Sequence, residues 1–399
     1  MFDMRRVCVV RAGSQCVQAC VPPRTNFFCS GFCFDARALR HVAARPLALA
    51  PKRLRGILFF GEPDSREDKL MYKLFSFALA ALMANLFIAA CAPSNAPTPT
   101  AAPLTPVTLV MGYIPNVQYA PFFVAEEKGY FAQEGIQVNY NWGFEFDGVK
   151  LVGANQAEFA IVTGDQILQA RSQAVPIVYI GNWYNAFPIA VVSLAEKNIK
   201  TPQDLVGKKV GLPGLFGASY TAWRALLYAS GLNEQDMTVD NIGFTQAQAL
   251  SQGTVDAAVA YANNEPVQLE LAGKKINSIN TWEYAQLVGN GVATNEATLK
   301  NHPDLARGFV RALTRGVQDT INNPDEALQI AIRRVPEAGG ANLETSQAVL
   351  RASIPLWKNT RLGETRLADW QAMEKFMREA GFIETNVDVT KAFTNDYVP

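Results

Sequence analysis

The stretch VTLVMGYIPNVQYAPFFVAEEKGYFAQEGIQVNYNW (residues 107–142) decides the architecture. It opens with a short apolar run, VTLVMGY, that reads as a strand. PFFVAEEKGYF (121–131) reads as a helix closed by Gly129, and IQVNYNW (136–142) alternates. Ile136, Val138, Tyr140 and Trp142 fall on one face of that strand, and Gln137, Asn139 and Asn141 on the other. Strand, helix, strand predicts a parallel sheet. The rhythm continues through FAIVT (159–163), a helix from Asp165 to Ser172, and VPIVYIG (175–181).

A polar break at EKNIKTPQDLVG (196–207) opens a second set: strand KKVGL, a Gly-rich loop, a helix from Ser219 to Ser230, strand DAAVAY and helix EPVQLELAG. From His302 onward, PDLARGFVRALTRGVQDTI and LADWQAMEKFMREAG carry apolar residues at helical spacing and are expected to return over the first lobe. The expected fold class is α/β, with two lobes built on parallel-rich sheets. Lobe 1 spans 107–190, lobe 2 spans 191–288, and 289–399 returns to lobe 1.

Upstream, Met71 and Lys73 precede an apolar run from Leu74 to Ile88, short of the roughly 20 residues a membrane-spanning helix needs. Ala89 and Ala90 then come directly before Cys91, so residues 71–90 read as a signal peptide and Cys91 as a lipidation site. The Pro-, Ala- and Thr-rich segment from Cys91 to 106 reads as a flexible tether. Residues 1–70 differ in kind, with twelve Lys or Arg against six Asp or Glu and five of the six cysteines. Translation is expected to start at Met71, leaving 1–70 as an extension outside the working protein. The pairs Cys16, Cys20 and Cys29, Cys33 are a weak zinc signal without a completing histidine.

Residues 91–399 hold 23 basic and 30 acidic side chains, a net of 23 − 30 = −7, which argues against nucleic acid as a partner. Beyond Cys91 this part has no cysteine, and its single histidine is His302. No thiol chemistry, metal site or catalytic set is expected.

GYIPNVQYAPFFVAEEKGYFAQEGIQV, TPQDLVGKKVGL, LSQGTVDAAVAY and HPDLARGFVRALTRGVQDTINNPDEAL, in that order after a lipoprotein signal, resemble the substrate-binding proteins of ABC importers. The branch is the one for nitrate, sulfonates and thiamine-precursor pyrimidines, and within it the chain looks most like the riboflavin-binding lipoproteins. The resemblance implies a type II periplasmic-binding-protein fold, a hinge of two crossovers and a central cleft for the ligand. The crossovers are expected near Ile189–Ser193 and Leu287–Ala293. It also implies a monomer without cofactor, anchored outside the cytoplasm, whose partner is an ABC permease.

Ligands of open parallel sheets bind at loops after the carboxyl ends of strands. Those loops carry Asn116 and Tyr119, then Phe144, Glu145, Phe146 and Asp147, then Asp165. Trp183 and Tyr184 follow, and the second lobe offers Tyr220, Tyr261 and Glu265. Aromatic rings stack on a flat ligand, and amides and carboxylates read its polar edge. An oxyanion would need Arg, Lys or a dense N–H array, and the loops lack the cations. GLPGLFGASYTAW could present backbone N–H groups to an anion, but such a Gly-rich turn is more often structural. Riboflavin fits this inventory best, ahead of an aminopyrimidine and a sulfonate. Enzymes of this fold that make thiamine pyrimidine need a reactive His and a Schiff-base Lys, whereas His302 sits at a helix start, NHPDL.

Overall fold

The computed structural model describes residues 103–399 and, upstream, only Met71, Phe77 and Ala78. The extension, Cys91 and most of the signal and tether lie outside the described residues. The unit Pro97–Pro399 is described by itself.

β1 (Thr105–Gly112) and β2 (Ile136–Gly143) pair in parallel, in register from Thr105 opposite Ile136 to Gly112 opposite Gly143. Between them, α1 (Ala120–Glu127) has Pro121 in its first turn, where no amide hydrogen is needed. It gives way at Gly129, whose φ of 70° suits glycine, to the short α2 (Tyr130–Gln133). In β2, Ile136 and Val138 are buried while Gln137, Asn139 and Asn141 are exposed, as the alternation predicts for an edge strand covered on one face. Next come α3 (Glu145–Gly153), β3 (Phe159–Val162), α4 (Gly164–Ser172) and β4 (Ile177–Asn182).

The chain then crosses to β5 (Ile189–Leu194) and β6 (Lys209–Leu212), followed by α5 (Gly217–Ser230), β7 (Thr238–Asn241) and α6 (Gln246–Gln252). After β8 (Ala257–Tyr261), α7 (Glu265–Leu271) and β9 (Ile276–Asn280), it returns through β10 (Gly291–Asn295). The helices α8 (Glu296–Asn301), α9 (Pro303–Asn322), α10 (Pro324–Arg334), α11 (Leu343–Trp357) and α12 (Leu367–Glu379) complete the fold.

The first sheet runs β2-β1-β3-β10-β4 and the second β7-β6-β8-β5-β9. Each contains one strand that arrives from the other lobe and runs antiparallel to its neighbours. β10 does so between β3 and β4, and β5 between β8 and β9. This exchange ties the lobes together.

The crossings therefore run through residues 183–188 and 284–290. The expected crossover Ile189–Ser193 is instead inside β5, because IAVVSL is an apolar, β-branched run that the second sheet buries at every position. The C-terminal helices also reach further than expected. α9 packs on α1, and a side chain at Gly316 would collide with the Pro121 carbonyl, so the two helices approach closely over the first lobe. α11, however, touches α7 of the second lobe. Just past α12, the Ala380 carbonyl accepts from Arg224 of α5, and the Tyr228 hydroxyl of α5 donates to Glu379.

Candidate functional site

A cavity of about 310 Å³ opens between the lobes, at the carboxyl ends of the parallel strands. Five helices begin at its wall, contributing Glu145 of α3, Gln166 of α4, Ser219 of α5, Gln246 of α6 and Glu265 of α7. Tyr113, just past β1, also lines it, with a φ of 68° that side chains rarely adopt. Holding a tyrosine there costs about 1–2 kcal/mol, a strain that concentrates at functional sites.

Of the residues singled out from sequence, Tyr119, Phe144, Glu145, Phe146, Trp183, Tyr184, Tyr261 and Glu265 line the cavity. Phe144 and Phe146 are 44% and 38% exposed at its rim, with ring centroids 5.6 Å apart. From the second lobe, Phe216 comes within 6.1 Å of Phe144 and 5.9 Å of Phe146. Phe244 approaches Tyr113 to 5.1 Å. The mouth is thus an aromatic rim contributed by both lobes. Trp183 differs: it is 3% exposed and wedged against Phe122, Tyr184 and Trp357 at 5.0, 4.6 and 6.0 Å. Its ring is a wall of the cavity and part of the first lobe's core.

The polar end is organised around Glu145. Its carboxylate accepts from Gln166 Nε2 at 2.5 Å and from Asn290 Nδ2 at 2.7 Å. Burial, with the charge of Asp165 adding to it, pushes its pKa up to about 8. Glu265 accepts from the Tyr261 backbone N–H at 3.0 Å, and burial pushes it up to about 7. The Tyr184 hydroxyl accepts at 3.2 Å from Asn263 Nδ2, which also donates to Ser353 of α11 at 2.7 Å.

The other four expected residues do not line the cavity. Asn116 caps the turn 117–119, its Oδ1 accepting from the Gln118 backbone N–H at 3.2 Å. Asp147 points along the exposed side of α3 towards Lys150, 3.7 Å away. Tyr220 lies one step round α5 from Ser219 and turns to Phe382, while its hydroxyl accepts from Arg224 at 3.0 Å. Asp165, 1% exposed, sits behind the wall and accepts from Thr221 Oγ1 at 2.6 Å, joining α4 of one lobe to α5 of the other.

Sequence reasoning passed over Gln166, Phe244, Gln246 and Asn290, all of which line the cavity. Gln166 follows Asp165 in the same strand-to-helix turn. Phe244 follows β7, a strand whose TVDN carries too little hydrophobic signal to announce it. Asn290 lies in the return crossing. Among the described residues, no group of three or more His, Cys, Asp or Glu side chains could hold a metal.

Two α/β lobes that exchange a strand each and enclose a ligand-sized cavity define a periplasmic-binding-protein fold. The solved alkanesulfonate-binding protein SsuA of Xanthomonas axonopodis pv. citri, bound to MOPS, superposes with a TM-score of 0.59 at 14% identity, covering 74% of this chain and all of that one. The chain belongs to the NMT1/THI5-like family, whose model matches residues 116–327. It is 42% identical to the riboflavin-binding protein RibY of Chloroflexus aurantiacus over 319 residues, 78% of this chain and 91% of the relative. It is 25% identical to a 4-amino-5-hydroxymethyl-2-methylpyrimidine phosphate synthase of Legionella pneumophila, over 73% of this chain and 92% of that one.

Proposed function

We propose that this chain is the solute-binding lipoprotein of an ABC importer and that its ligand is riboflavin. The observation that carries the reading is the cavity: aromatic rings from both lobes rim it, and amides and two carboxyls form its polar end. A flat heteroaromatic ring stacks between such rims, and its edge pairs with amides and acids. The 42% identity to a riboflavin-binding protein points to the same ligand. Binding closes the lobes over the ligand, and the closed form is what the permease recognises.

Among the described residues, the cavity is lined by neither His nor Lys, the pair that pyrimidine synthesis on this fold would use, and His302 joins α8 to α9. We read the role as capture, which the 42% identity to a riboflavin-binding protein supports. Titration of the purified protein with riboflavin is expected to quench flavin emission saturably, with a Kd below about 1 µM. Absence of quenching, with thermal stabilisation by an aminopyrimidine instead, would overturn riboflavin and leave an importer for thiamine salvage.

Cys91, outside the described residues, is proposed to carry the lipid that holds the protein, as a monomer, on the outer face of the cell membrane. Cells expressing the chain and fed labelled palmitate should label it, and Cys91→Ala should abolish the label. A labelled Cys91→Ala variant would remove the anchor from this site.

A further inference from the structure

A helix start attracts anions, through its free N–H groups and its dipole, and α3, α4 and α5, of 9, 9 and 14 residues, start at this cavity. α3 and α4 carry an acid in the first turn, Glu145 and Asp165, and the shorter α7 brings Glu265. Glu145 and Glu265 line the cavity, and among the described residues no Lys, Arg or His does. Lys150 sits over the Phe146 ring, 4.4 Å from its centroid, with its side chain 71% exposed. It faces solvent.

The hydrogen-bonding groups tell the same story independently of charge. Glu145 engages the amide N–H groups of Gln166 and Asn290, which fixes both amides and leaves their side-chain oxygens buried without a partner. Gln246 likewise holds a buried, unpartnered oxygen. Against these three acceptors, the buried side-chain atoms of the cavity-lining residues include one unpartnered donor, Trp183 Nε1. Buried polar groups seek partners, so these three oxygens suit a ligand that brings donor hydrogens. A flavin's ring N–H and ribityl hydroxyls supply them. A phosphate brings acceptor oxygens and negative charge.

We propose that Glu145 and Glu265 are specificity-determining residues that make the cleft take the uncharged flavin and reject its phosphate ester. Once ionised, above about pH 8, they place negative charge at the helix starts, and Glu145 also engages the amide donors an anion would need. The proposal rests on the riboflavin reading above.

The test titrates the purified protein with riboflavin and with riboflavin 5′-phosphate, at about pH 9 so that both carboxyls are ionised. Wild type is expected to favour riboflavin by at least about a hundredfold. Glu145→Gln should narrow that ratio by about tenfold or more, weakening riboflavin and strengthening the ester. Glu265→Gln should narrow it too, and decides the matter if Glu145→Gln fails to fold. Equal affinities in wild type, or an unchanged ratio in the folded variants, would overturn the proposal while leaving riboflavin as ligand. Binding of neither flavin would overturn the riboflavin reading and this inference together.

Discussion

Trp183→Ala is expected to cost about 3–5 kcal/mol of folding stability, the range for emptying a buried aromatic site. Trp183 is 3% exposed and packed against Phe122, Tyr184 and Trp357, so its removal empties a site in the core as well as in the cavity wall. Phe144→Ala is the informative contrast, because that ring touches the same cavity from its exposed rim. Its melting temperature should stay near wild type while riboflavin affinity falls about tenfold. Thermal denaturation and flavin quenching on the two variants separate core from rim. A Trp183→Ala protein that melts like wild type would show that this ring supports only the ligand.

The ligand-free protein should lose stability as pH rises from about 4.5 to about 8. Burial pushes Glu145 up to about 8 and Glu265 up to about 7, and it raises Asp165 as well. In the unfolded chain such carboxyls titrate near 4. The folded form therefore holds protons that the unfolded form has released. This contribution is complete below the unfolded values and disappears as pH rises through the folded ones. Its size is on the order of a few kcal/mol. Glu134, Asp256 and Asp319 have lowered values and act with the opposite sign, but in a window below about pH 4. Urea midpoints at about pH 5.5 and 8.5 should differ in favour of the lower pH, and Glu145→Gln should shrink the difference. A midpoint that rises towards pH 8.5 would contradict the burial of these acids.

Much of the scaffold was legible because its signals are local. The alternation in IQVNYNW, Pro121 and Gly129 at the ends of α1, and the apolar spacing in α9 each depend on a few neighbouring residues. β7 escaped because an edge strand of TVDN buries little and so carries no hydrophobic period. The first crossing was misplaced for a related reason: IAVVSL marks a buried strand without saying in which sheet it lies.

Sequence by itself determined a two-set α/β chain whose strand-end loops are rich in aromatics, amides and acids. It did so because strand and helix periods and turn residues act over a few positions. Tertiary structure alone decided which of those side chains meet. Ser219 and Tyr220 are adjacent in sequence, yet one lines the cavity and the other packs on Phe382, because successive residues on a helix point about 100° apart. Asn290 reaches Glu145 only because β10 returns between β3 and β4, and Asp165 meets Thr221 only where the lobes touch. Convergence of that kind depends on strand order and helix phase across separations of 56 and 145 residues, which no local pattern records.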